Sequence, residues 1–211
     1  MKNKLTLVFI VCAVLITAGC KKAVKTDSKI PERIVSLTPA GTEIICALGG
    51  FNQLAARTDF CDYPPEVSSV PSAGGFDGKI ISLETVLSFE PDFVYLASGM
   101  HDHLISLLEQ NGIAYYLSNA DSVDSVLKEI SEIGNLTGHK ENAVSITKEI
   151  IGRLEFLKKT YADSEPVTVY WEVWNAPYMS AGASSFINDV IKAAGGENIF
   201  ADLPDAYPMV S

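Results

Sequence analysis

Residues 140–163, KENAVSITKEIIGRLEFLKKTYAD, decide the fold. Ala143, Ile146, Ile150, Leu154, Leu157 and Tyr161 recur at spacings of three and four, the period of one face of an α-helix. Glu149/Arg153 and Glu155/Lys159 stand four apart on the outer face, where such pairs support a helix. One long amphipathic helix is expected. At ~1.5 Å per residue the run from Lys140 to Tyr161 covers roughly 33 Å, about the width of a small domain. A helix crossing over within one sheet averages only ~11 residues, and strand-like segments lie on both sides. The stretch therefore reads as a strut between two lobes.

The chain has 211 residues, 47% hydrophobic and 20% charged, which suits a sizeable core and excludes disordered and fibrous classes. Residues 1–19 read as a signal peptide: Lys2 and Lys4 form a basic start, Leu5 to Ile16 an apolar run, and Thr17-Ala18-Gly19 a small-residue cleavage site. Cys20 follows directly, as in bacterial lipoproteins, where that thiol carries the lipid. A polar run to Lys29 then reads as a linker over residues 20–32. Without residues 1–19, 14 basic residues face 26 acidic ones, a formal charge of −12, so nucleic acid and anionic membrane surfaces are poor partners. Cys46 and Cys61 are left to pair or stay free; two free thiols are expected, with Cys46 a buried small hydrophobe.

Strand and helix alternate from Arg33 onward. Arg33 to Leu37 reads as a strand, with Thr38-Pro39 capping and opening a helix that ends at Gly49-Gly50. Leu54 to Thr58 reads as a strand followed by a turn-rich loop through Tyr63 and the Gly74 to Gly78 segment. Helices from Ser82, His101 and Ser122 alternate with strands at Phe93 to Ala97 and Ile113 to Leu117. Beyond the long helix come a strand at Val167 to Trp174, a helix at Ser184 to Ala194 and a strand start at Asn198. The fold class is α/β, two parallel-sheet lobes joined by a bridging helix: residues 33–138 form the first lobe, 139–163 the bridge, and 164–211 an incomplete second lobe.

No dinucleotide fingerprint, phosphate loop or nucleophile elbow is present. His101-Asp102-His103 places its histidines two apart at a helix start, which suits surface residues better than a metal site. Ligands of open α/β sheets lie beyond the carboxyl ends of the strands. The candidates there are Thr38, Pro39, Tyr63, Phe76, Ser98, Gly99, Trp174 and Tyr178. This set is rich in aromatics and poor in cations, which favours a bulky organic ligand over a phosphate or bare ion. No catalytic residue and no metal site are assigned. An exported enzyme acting through Asp59, Asp62 or Glu172 and a surface adhesin are the readings from other classes.

Arg33 to Pro39 with Thr42-Glu43, Asp62-Tyr63-Pro64-Pro65, Leu83-Glu84 with Glu90-Pro91-Asp92, and Ala194 to Phe200 carry a resemblance. Together they resemble the substrate-binding proteins of bacterial ABC importers for cobalamin and iron chelates. The resemblance implies two α/β lobes on one rigid helix, a ligand held between them and delivered to an ABC permease, and no chemistry on that ligand. It also implies a ligand contact at Tyr63, an aromatic contact at Tyr207 where cobalamin-binding members carry tryptophan, and another near Phe76. Ala97 stands where those members carry a further tryptophan, so siderophore-iron and haem stay open as ligands. Glu84 matches an acid that members present to permease arginines. The matching acid of the second lobe lies beyond Ser211, and so short a second lobe buries little surface, which gives the expectation of a C-terminally incomplete chain.

Overall fold

The computed structural model describes residues 29–75 and 81–211. The signal peptide, Cys20 and Phe76 lie outside the described residues.

Four strands, β1 (Ile34–Ser36), β2 (Leu54–Ala56), β3 (Phe93–Ala97) and β4 (Ala114–Ser118), form a parallel sheet in the order β2-β1-β3-β4. Apolar residues run continuously along β1 and β3, as a sheet buried on both faces demands. Alternation then divides them. Val35, Leu37, Val94 and Leu96 join one core, closed by Val86 of α2 (Leu83–Leu87) and by Leu104 and Leu108 of α3 (Asp102–Gln110). Ile34, Phe93 and Tyr95 join the other, closed by Ile45 of α1 (Pro39–Ala47) and by Ile130 and Ile133 of α4 (Val123–Leu136).

The long helix is α5 (Lys140–Thr160). Ala143 is buried in the second core, Ile146 and Ile150 pack against it, and Leu154 and Leu157 continue the half-buried stripe. Burial fades along the helix until Tyr161 is 50% exposed. Arg153 meets Glu149 at 2.5 Å on the outer face. The start of α5 is tied to the first lobe: Gln53 donates to the carbonyls of Pro31 (2.7 Å) and Thr137 (3.1 Å) and meets His139 Nε2 at 3.0 Å, and Asn142 donates to the Leu48 carbonyl at 2.7 Å. Gly134 lets α4 and α5 approach, because a Cβ there would collide with that of Ala143.

The second lobe departs in detail from the sequence reading. Val167 to Trp174 is not one strand. It breaks at Tyr170-Trp171 into β5 (Val167–Val169) and β6 (Glu172–Asn175), each with a different partner. Here β5 pairs in parallel with β8 (Gly196–Asn198), and β6 turns back antiparallel on β7 (Tyr178–Ser180). The last strand begins two residues before Asn198, straight after the left-handed Gly195 (φ +79°) that stops α6 (Phe186–Ala193). Buried apolar residues are few here, Ala181 and Ile191. Buried amides take much of their place: Asn198 donates to the Ala181 carbonyl at 2.8 Å and to Asn188 Oδ1 at 3.2 Å, and Asn188 donates to the Ala183 carbonyl at 2.9 Å. Among the described residues no helix is long and apolar enough to cross a membrane.

Candidate functional site

Because β1 to β4 are all parallel, the segments after them meet at one edge of the sheet. Thr38 stands there at the N-cap of α1, its hydroxyl accepting from Gly41 N–H at 2.9 Å. It is buried, so its side chain is spent on the cap, and Pro39 behind it is half-buried. Ser98 and Gly99 follow β3 and are exposed. Gly99 has φ +80° and donates to Asp102 Oδ1 at 3.0 Å, which aims the turn out of the sheet edge.

The loop after β2 shows how sequence sets side-chain direction. Thr58 and Cys61 are buried, with Thr58 Oγ1 and Cys61 Sγ 3.2 Å apart and the Thr42 hydroxyl donating to the same sulfur at 3.2 Å. With Cys61 anchored, Phe60 and Tyr63 on either side of it stand 61% and 62% exposed. Phe60 escaped sequence reasoning, because only the burial of its neighbour tells which side chains of this loop face outward. The buried thiol is Cys61. Cys46, expected to be buried, is half-buried with its thiol pushed up to about 11, first by burial and then by Glu66 and Cys61. Both cysteines are free.

Arg57 is the one Lys or Arg in the described loops that follow these four strands. It is not available to an anion, since Nε donates to the Val67 carbonyl at 2.8 Å and its guanidinium to the Thr58 carbonyl at 2.7 Å. Asp59 is likewise engaged, accepting from Ser72 Oγ at 2.5 Å. His101 is buried rather than on the surface: Nδ1 accepts from Ala97 N–H at 3.0 Å, so it holds the end of β3. No group of three or more His, Cys, Asp or Glu among the described residues is placed to hold a metal ion.

In the second lobe Trp174, Tyr178 and Tyr207 come together on one small hairpin. Trp174 and Tyr178 flank the Ala176-Pro177 turn between β6 and β7, and the chain around Tyr207 runs beside β7, with Ser180 N–H donating to the Pro208 carbonyl at 3.1 Å. The three are 59%, 55% and 47% exposed. Glu84 sits in the exposed first turn of α2, its carboxyl held below the usual range by its own backbone N–H and then by the Ser82 hydroxyl. The Glu90-Pro91-Asp92 motif is structural: Asp92 accepts from the backbone N–H groups of Glu32 (2.8 Å) and Arg33 (2.9 Å), pinning the start of β1.

A family model described as periplasmic binding protein matches residues 34–211. The chain belongs to that family. Members are solute-binding proteins. A vitamin B12-binding protein of Vibrio cholerae is 28% identical over 181 residues, covering 85% of this chain, and one from Yersinia pestis is 26% identical over the same length. The chain spans 65% of the length of the first and 64% of the second. The crystal structure of the periplasmic vitamin B12 binding protein of Vibrio cholerae superposes with a TM-score of 0.75 at 27% identity, covering 86% of this chain and 71% of that one. A periplasmic heme binding protein of the same organism shares the fold, with a TM-score of 0.74 at 24% identity over 85% of this chain and 70% of that one.

Proposed function

We propose that this chain is the extracytoplasmic substrate-binding component of an ABC importer, holding a corrinoid between its lobes and delivering it unchanged to a permease. The observation that carries this reading is the display of exposed aromatic rings at the strand ends: Phe60 and Tyr63 on the first lobe, and Trp174, Tyr178 and Tyr207 on the second. Isolated exposed rings lose the free energy of burial, and a flat apolar macrocycle recovers it. The engagement of Arg57 separates the ligand classes. Haem propionates and anionic siderophores call for a free guanidinium or ammonium, and the one arginine of these described loops is committed to carbonyls. A corrinoid, whose periphery is mostly amide, asks less of such a cation. The relatives named as vitamin B12-binding proteins support the same choice.

Two attachments complete the proposal. Cys20 carries the lipid that anchors the chain outside the cytoplasmic membrane, and Glu84 is the first-lobe contact for permease arginines. Titrating the protein with cobalamin, haemin and a ferric siderophore while following tryptophan fluorescence tests the ligand. Cobalamin is expected to give a saturable change, and silence toward all three overturns the reading. Mass spectrometry of membrane-extracted protein is expected to find acylated Cys20, and an unmodified mature start elsewhere removes the anchor.

A further inference from the structure

A single bridging helix fixes the separation of two lobes but leaves them free to twist about its axis. The α5 helix is tied to the first lobe at its start through Gln53 and Asn142. A second contact off that axis is needed to set the twist. Asp189 of α6 supplies it: its Oδ2 accepts from the backbone N–H of Val123, the first residue of α4, at 2.7 Å across 66 positions of sequence.

We propose that Asp189 is a positioning residue, clamping the second lobe to the N-terminus of α4 and so fixing the relative orientation of the two lobes. The neighbouring interactions make the clamp rigid on both sides. On α4 the Ser122 hydroxyl accepts from Ser125 N–H at 3.1 Å, and Ser125 Oγ accepts from Asp121 and Ser122 N–H groups at 3.0 and 2.9 Å. Asp189 closes the Val123 donor, and a carboxylate there also meets the positive end of the helix dipole. One turn beyond the cap, buried Glu129 accepts hydrogen bonds from the Tyr95 and Ser118 hydroxyls, which ties α4 to β3 and β4. On α6 the residue just before the clamp, Asn188, is locked to Asn198 of β8 and to the Ala183 carbonyl. A continuous polar path thus joins the two sheets through one backbone N–H, and α6 packs on both α4 and α5.

Amide NMR on the chain tests this. Residual dipolar couplings report whether both lobes share one alignment frame, and hydrogen exchange reports on Val123. In Asp189→Ala the Val123 amide is expected to exchange about tenfold faster or more, the loss of one charge-assisted bond, with the lobes no longer in a common frame. Asp189→Asn keeps a carbonyl acceptor and is expected to restore both readouts. Val123→Pro removes the donor from the other partner. Proline is favoured at the first helical position, and Ser122 already holds the extended φ −148°, ψ 163° that a following proline requires. That variant is expected to misalign the lobes as Asp189→Ala does, and the double variant no further. A common alignment frame in both single variants, or additive effects in the double, overturns the clamp. A tenfold weaker affinity for cobalamin in Asp189→Ala, rescued by Asn, is the functional arm and rests on the corrinoid reading. Failure of the unaltered chain to bind cobalamin sinks that reading, and the alignment result still decides the clamp.

Discussion

Replacing Gly41 by alanine sets two effects of opposite sign against each other. Within a helix, alanine is favoured over glycine by about 1 kcal/mol. At this position, however, a Cβ would stand 2.7 Å from Cγ of Tyr95 and closer still to Cδ1 and Cε1. Ordinary carbon contacts need about 3.5 Å or more, so ring or helix must retreat by roughly 1 Å. Tyr95 has nowhere to go: it is fully buried, its hydroxyl donates to Glu129, and its ring stacks on Tyr116 with centroids 5.7 Å apart. Overpacking costs about 1–3 kcal/mol, and loosening a buried hydrogen bond to a carboxylate adds about 1.5–3 kcal/mol. A net loss of about 2 kcal/mol or more is expected, a fall in Tm of about 4–8 °C for a chain of this size. Gly152 on α5 is the control, with nothing within 4 Å of its Cβ position. There the helix preference acts alone, and Gly152→Ala is expected to raise Tm by about 2–4 °C. Thermal unfolding followed by circular dichroism measures both. A Gly41→Ala protein as stable as the parent would refute the packing argument, as would equal losses at the two positions.

Cys46 is expected to alkylate slowly in the folded protein, with roughly a hundredfold less thiolate at neutral pH than an ordinary cysteine; mass spectrometry after timed iodoacetamide treatment reads this out, and labelling as fast as in urea contradicts it. Arg57→Met is expected to lower stability by about 2 kcal/mol through two lost carbonyl partners, and Arg57→Lys to recover less than half, since an ammonium lacks the planar fork; urea titration decides, and full rescue by lysine rejects the geometric reading. Trp174→Leu is expected to weaken cobalamin binding about tenfold with little change in Tm, because that ring is 59% exposed and its Nε1 donates only to the nearby Ala176 carbonyl at 3.1 Å.

Much of the architecture was legible because it rests on local rules. The stripe from Ala143 to Leu157 shows a helix whatever surrounds it. Thr38, Ser82 and Ser122 each fill the capping role that their side chains imply, accepting from Gly41, Thr85 and Ser125 N–H groups. What stayed hidden depends on partners distant in sequence. The β-rich run from Val167 to Trp174 is divided because β8 takes its first part and β7 its last, and neither claim leaves a mark in the run itself. His101 looks solvated beside Asp102 and His103, yet a backbone N–H four residues earlier holds it inside. In the candidate site Tyr63, Trp174 and Tyr178 were found from their place after strands. Phe60 became visible only through the anchoring of Cys61, and Asp189 only through a helix end 66 residues away.

Equilibrium dialysis of the chain against cobalamin, in parallel with haemin and a ferric siderophore, tests the central claim most directly. Retention of one cobalamin per chain, weakly dependent on salt because no free cation is engaged, is the result expected, with the two anionic chelates held far less. Retention of haemin or the siderophore in preference to cobalamin, falling steeply as salt is raised, would contradict it.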